Sequence, residues 1–163
     1  MMGDTDGDGK SFEKAMAITD NKIVSNNVGA VRHVSNGKSS DEIKSLFESS
    51  NTDESKYNVG LIQIEEGKYE ESITSMGETK SYNFVLANIL AENYDDATDA
   101  LEGMTYAKSY YLKAIIGSRT ANTEMVLENL KLAIEKDASL KDLAKKDREF
   151  IKYFENSDFL AIF

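Results

Sequence analysis

Two stretches of this sequence restate one another 25 residues apart. Tyr57-Asn58-Val59-Gly60 is answered by Tyr82-Asn83-Phe84-Val85, and Gly67-Lys68-Tyr69-Glu70-Glu71-Ser72-Ile73 by Asn93-Tyr94-Asp95-Asp96-Ala97. A weaker copy precedes them in Asn27-Val28-Gly29, with Gly37 eight residues on. Tyr106 falls 24 residues after Tyr82 and is read as the start of a fourth unit. Self-similarity on this scale means supersecondary units that stack, because one such unit cannot bury its own apolar face.

The units are helical. Apolar residues recur at three- and four-residue spacing in short segments: Phe12 to Ile18, about 22–34, a segment with Ile43, Leu46 and Phe47 capped by Ser39 or Ser40, about 54–66, Tyr69 to Met76, about 81–91, about 94–101, about 106–118 and about 123–136. The 163 residues hold no proline and ten glycines. A sheet-rich chain of this length carries more turn residues. The reading is about ten short helices joined by tight turns, consecutive ones antiparallel. Each is too short to persist alone in water, so stability must come from stacking. Residues 1–10 read as a flexible acidic leader or an appended remnant, and 11–163 as a single helical repeat domain.

The pattern aromatic-Asn-aliphatic-Gly, six residues, Gly-x-Tyr-x-x-small in residues 57–73 resembles the tetratricopeptide repeat family. The resemblance extends over about residues 11–136. It implies an all-α fold: a right-handed α-α superhelix of stacked antiparallel hairpins. It gives Gly60 a close approach between paired helices, Gly67 a helix-ending turn, and Tyr69 and Ser72 packing against the first helix. Ala97 takes the small position in the third unit and Ala133 in the fourth. The units depart from the family: they are shorter than its norm of about 34 residues, they lack the usual proline, and Val85 stands where glycine is expected. Beyond the repeats, Leu143, Phe150 and Phe154 are read as one face of a C-terminal capping helix over Lys141 to Phe154.

Charge and residue types exclude several functions. Nineteen Lys and Arg against 29 Asp and Glu give a formal charge of −10, which disfavours nucleic acid and anionic membrane surfaces. No cysteine is present, so thiolate chemistry and disulfides are excluded. His33 is the only histidine and lacks the companions of a triad or histidine metal site. Glu65-Glu66, Glu70-Glu71 and Asp95-Asp96 are adjacent, and helix neighbours point about 100° apart, so neither member of a pair can join the other in one catalytic site. Asp4-Thr5-Asp6-Gly7-Asp8-Gly9-Lys10 begins like a calcium loop, but Ser11 replaces its apolar residue and Ala15 its bidentate glutamate. No enzyme activity, metal or cofactor is expected.

By the resemblance, Tyr57, Tyr82 and Tyr106, with Leu61, Leu86 and Tyr110 one turn later and Lys113 beyond, line a concave groove. Aromatic residues with a polar tip suit partner recognition. The same spacing also suits packing between hairpins. The expected function is a protein- or peptide-binding scaffold without direct membrane insertion. The alternatives are a structural module of a larger cell-envelope protein, or calcium-dependent binding through the Asp-rich segment. The Asn-, Lys-, Ser- and Ile-rich composition suggests an AT-rich bacterium. Repeats of this type occur in bacterial envelopes, so periplasm or envelope is expected ahead of cytoplasm.

Overall fold

A computed structural model describes residues 5–18, 21–36, 41–77 and 79–163, with Thr5, Asp6, Asp8, Gly9 and Asn36 described by their backbone alone. The described residues form helices and connecting turns, without a strand. The first helix, α1, runs Thr5–Ile18 and therefore begins six residues earlier than the sequence pattern suggests. It is followed by α2 (Lys22–Asn36), α3 (Asp41–Ser50), α4 (Asp53–Glu65), α5 (Tyr69–Met76), α6 (Tyr82–Leu90), α7 (Tyr94–Ala100), α8 (Ala107–Arg119) and α9 (Thr123–Lys136). The cap expected at Ser39 or Ser40, and Gly37 of the weaker repeat copy, lie outside the described residues.

The chain packs as two compact units, Met1–Thr79 and Lys80–Phe163. In the first unit α2 pairs with α3 and α4 with α5. Its core is Ile43, Phe47, Val59 and Ile62. The apolar stripe expected of α2 divides. Val28 is buried, whereas Ile23 and Val34 are largely exposed, because they lie about 140° and about 120° around the helix from Val28. Arg32 ties three helices by pairing with Glu13 of α1 at 3.0 Å and with Glu42 of α3.

Gly60 makes the close approach that its place in the pattern implies. A Cβ there would stand 2.5 Å from Met76 Cγ and 3.2 Å from the Ser72 carbonyl oxygen. The Ser72 hydroxyl uses that proximity to donate to the Gly60 carbonyl at 2.8 Å. A small residue on each helix thus brings α4 and α5 together and satisfies a buried hydroxyl in the same contact.

In the second unit α6 pairs with α7 and α8 with α9. The core runs through Val85, Ile89, Leu101, Leu112, Ile116, Val126 and Leu130 and on to Phe150 and Phe159. A stretch of short helical elements closes it: α10 (Leu140–Ala144), a 3-10 helix (Arg148–Tyr153) and α11 (Ser157–Leu160). This corrects the single capping helix over Lys141 to Phe154. Asp147 interrupts it by accepting the Glu149 N–H, and Asn156 restarts the chain by accepting those of Asp158 and Phe159. Of the expected face, Phe150 is fully buried and Phe154 half-buried, but Leu143 is 51 % exposed. Leu140, Ala144 and Tyr153 are the residues that bury instead. Arg119 fastens the 3-10 helix to α8. Its guanidinium donates twice to Glu149, at 3.0 and 2.6 Å, and once to the Ile89 carbonyl at 3.0 Å.

Three hairpin turns share one hydrogen-bond pattern. Gly67, Glu92 and Ala121 each have positive φ, at 74°, 64° and 57°. Their N–H groups donate to Ile64, Ile89 and Ser118, and the following N–H groups donate to Gln63, Asn88 and Gly117 at 2.8–2.9 Å. This is the closed turn of a left-handed helix end, which glycine adopts with least strain. Glu92→Gly and Ala121→Gly are therefore each expected to raise stability, by roughly 0.5–1 kcal/mol, as the left-handed strain goes. Urea midpoints with unchanged slope would show it, and a fall in midpoint would contradict it.

The turns also define the repeat register, because they fix where each hairpin folds back. Measured from them, Tyr57 and Tyr82 each precede the left-handed residue by ten positions, and Tyr111 does so in the last hairpin. Tyr106 is the residue that precedes α8, so the 24-residue step assigned to it is five residues short. By the same register Ile115, not Tyr110, corresponds to Leu61 and Leu86. Val126, not Ala133, corresponds to Ser72 and Ala97. Both Val126 and Ala133 are buried.

Candidate functional site

The seven residues expected to line a groove divide between the two units. Tyr57 and Leu61 lie half-buried on α4 of the first unit. Tyr82 and Leu86 on α6, Tyr106 before α8, and Tyr110 and Lys113 on α8 belong to the second. Tyr82 and Tyr106 are 36 % and 44 % exposed. Leu86, Tyr110 and Lys113 are half-buried.

Within the second unit these residues form two small clusters, each with a lysine against a tyrosine ring. The Lys108 Nζ lies 5.8 Å from the centroid of the Tyr82 ring. Two cations approach the Tyr110 ring, Lys113 from its own helix at 5.4 Å and Lys136 from α9 at 5.7 Å. Such contacts are worth about 0.5–1 kcal/mol at exposed sites, and they fix the lysine stems in place. Among the described residues none of these three ammonium groups is in an ion pair. Lys113 is one of the residues the sequence singles out. Lys108 and Lys136 are not, because their partnership with tyrosines arises only when α6, α8 and α9 come together.

Tyr111 has the opposite character. Its ring is buried, edge-on to Phe150 at 5.6 Å, and its hydroxyl donates to Asp147 Oδ2 at 2.7 Å. Burial, then the Asp147 carboxylate, hold its phenol far above the usual value of about 10. The Tyr82 phenol is also raised, by burial first and then by Asp147 and Tyr106. A tyrosine whose pKa is raised by folding contributes stability that is full below the unfolded value and is lost progressively as pH rises from there towards the folded value. Stability of the second unit is thus expected to fall as pH rises beyond about 10. Tyr111→Phe should flatten that fall in near-ultraviolet circular dichroism titrations, and an unchanged alkaline slope would count against it.

The remaining candidate residues have structural surroundings. His33 is half-buried, with Nε2 at 3.4 Å from Glu65 Oε1. Asp147 and Glu149 are taken up by Tyr111 and Arg119. In the calcium-like segment, Asp4 and the side chains of Asp6 and Asp8 lie outside the described residues. The backbone from Thr5 is helical rather than wrapped into a loop. Among the described residues no helix is long and apolar enough to cross a membrane.

Fold and site together define an all-α protein of packed helical hairpins with two lysine–tyrosine clusters on its second unit. No protein-family model matches the sequence, and no curated protein matches it.

Proposed function

We propose that this chain is a non-enzymatic scaffold that binds an extended segment of another protein. Its hairpins follow the tetratricopeptide plan, with a right-handed superhelical course. The contact surface is the lysine–tyrosine face of the second unit. The observation that supports this is the approach of both Lys113 and Lys136 to the Tyr110 ring and of Lys108 to that of Tyr82, with none of the three cations in an ion pair among the described residues. In a chain of net charge −10, ammonium groups over partly exposed rings and outside close ion pairs select acidic and aromatic segments, by charge and by stacking.

A displayed library of twelve-residue peptides tests this. The wild type should retain sequences enriched in Asp and Glu beside aromatic residues. Tyr82→Ala/Tyr110→Ala should lose them, and Lys113→Glu should weaken them at least tenfold. Far-ultraviolet circular dichroism would verify that the variants fold. Identical peptide sets on all three proteins would sink the reading.

A further inference from the structure

A second surface of the same unit has the reverse chemistry. An open groove of about 610 Å³ runs between α9 and α11. Its floor is Leu127, Ile134 and Ile162, all half-buried and continuous with the core. Leu127 and Ile134 are seven residues apart on α9, so they lie on one face about 10 Å from each other. The rim is acidic: Glu128, Glu135 and Asp158, with Lys131 the single cation. All four rim residues are exposed, and none is in an ion pair among the described residues. Lys131 is three residues from Glu128 and four from Glu135, yet it closes a bridge to neither.

From this arrangement we infer that the α9–α11 groove docks a basic amphipathic helix of a partner protein. Apolar residues of that helix, at helical spacing, fill the space above Leu127, Ile134 and Ile162. Its Lys and Arg residues meet Glu128, Glu135 and Asp158. Charge decides the occupant. Three carboxylates around an apolar floor repel one another and any acidic segment, and a cationic helix relieves that repulsion while covering the floor. This site uses no residue of the lysine–tyrosine face and does not depend on that face's function.

The probe is a fluorescein-labelled fourteen-residue amphipathic peptide of Leu and Lys, with its Leu and Glu counterpart as control, followed by anisotropy at physiological salt. The Leu/Lys peptide should bind the wild type and the Leu/Glu peptide should not. Glu128→Gln/Glu135→Gln/Asp158→Asn should weaken binding at least tenfold. Asp95→Asn/Asp96→Asn/Asp99→Asn, which removes the same charge from α7, should change it less than twofold. Ile162→Ser should weaken it with the rim intact. Equal losses in the two triple variants would overturn the inference, because general attraction to an acidic protein would then explain binding. So would absence of Leu/Lys binding, or equal binding of the two peptides. Sedimentation showing a dimer that Ile162→Ser dissociates would also overturn it, by assigning the groove to a second copy of this chain.

Discussion

Gly60→Val is expected to destabilise the first unit by about 2–3 kcal/mol. The new side chain starts from a Cβ position already 2.5 Å from Met76 Cγ and 3.2 Å from the Ser72 carbonyl. Met76 can swing away, but the backbone of α5 cannot, so α4 and α5 must separate. Separation also strains the bond from the Ser72 hydroxyl to the Gly60 carbonyl, a contact worth about 1 kcal/mol. Gly60→Ala should cost less, since alanine recovers up to about 1 kcal/mol of helix propensity. Hydrogen exchange on the full chain is the measurement of choice. Protection should fall across α4 and α5 and hold in α8 and α9. A valine variant as protected as the wild type would show that α4 and α5 do not need this approach.

Phe150→Ala carries the larger cost, about 3–5 kcal/mol. The ring is fully buried, edge-on to Tyr111 at 5.6 Å and tilted against Phe159 at 5.9 Å. Its removal empties the space where the C-terminal elements meet α8. Leu143→Ala, seven residues earlier on a side chain 51 % exposed, should stay within about 0.5 kcal/mol. The contrast is diagnostic. Comparable losses at the two positions would restore the single capping helix, in which Leu143 and Phe150 share a buried face. Urea unfolding followed by tyrosine fluorescence would read both.

Much of the helical organisation was legible because it is written in local terms. Gly67 at positive φ and Gly60 at the helix crossing do what their chemistry permits and larger residues resist. The short apolar runs and the absence of proline placed most helices within a few residues of their observed limits. Three features were not legible. Glu92 and Ala121 take the same left-handed turn as Gly67, and nothing in those residue types announces it. Their hydrogen bonds to Ile89 and Ser118, and the antiparallel pairing they close, hold them there. The register of the last hairpin followed from those turns, so Tyr106 was aligned where Tyr111 belongs. In the tail, the spacing of Leu143, Phe150 and Phe154 suits a helix, but Asp147 and Asn156 each capture backbone N–H groups and break it.

The candidate surfaces divide the same way. Tyr82, Tyr110 and Lys113 could be singled out from sequence, because aromatic residues repeating on helices invite the question of what they face. Lys108 and Lys136 could not, nor could the meeting of Glu128 and Glu135 on α9 with Asp158 on α11. By itself, then, the sequence determined an all-helical chain of short paired elements, since helix periodicity, capping and glycine turns act over a few residues. Only the tertiary structure decided the hairpin register, the broken C-terminal cap and the company of each charged side chain. Those depend on contacts between residues far apart in the chain, where packing overrides local preference.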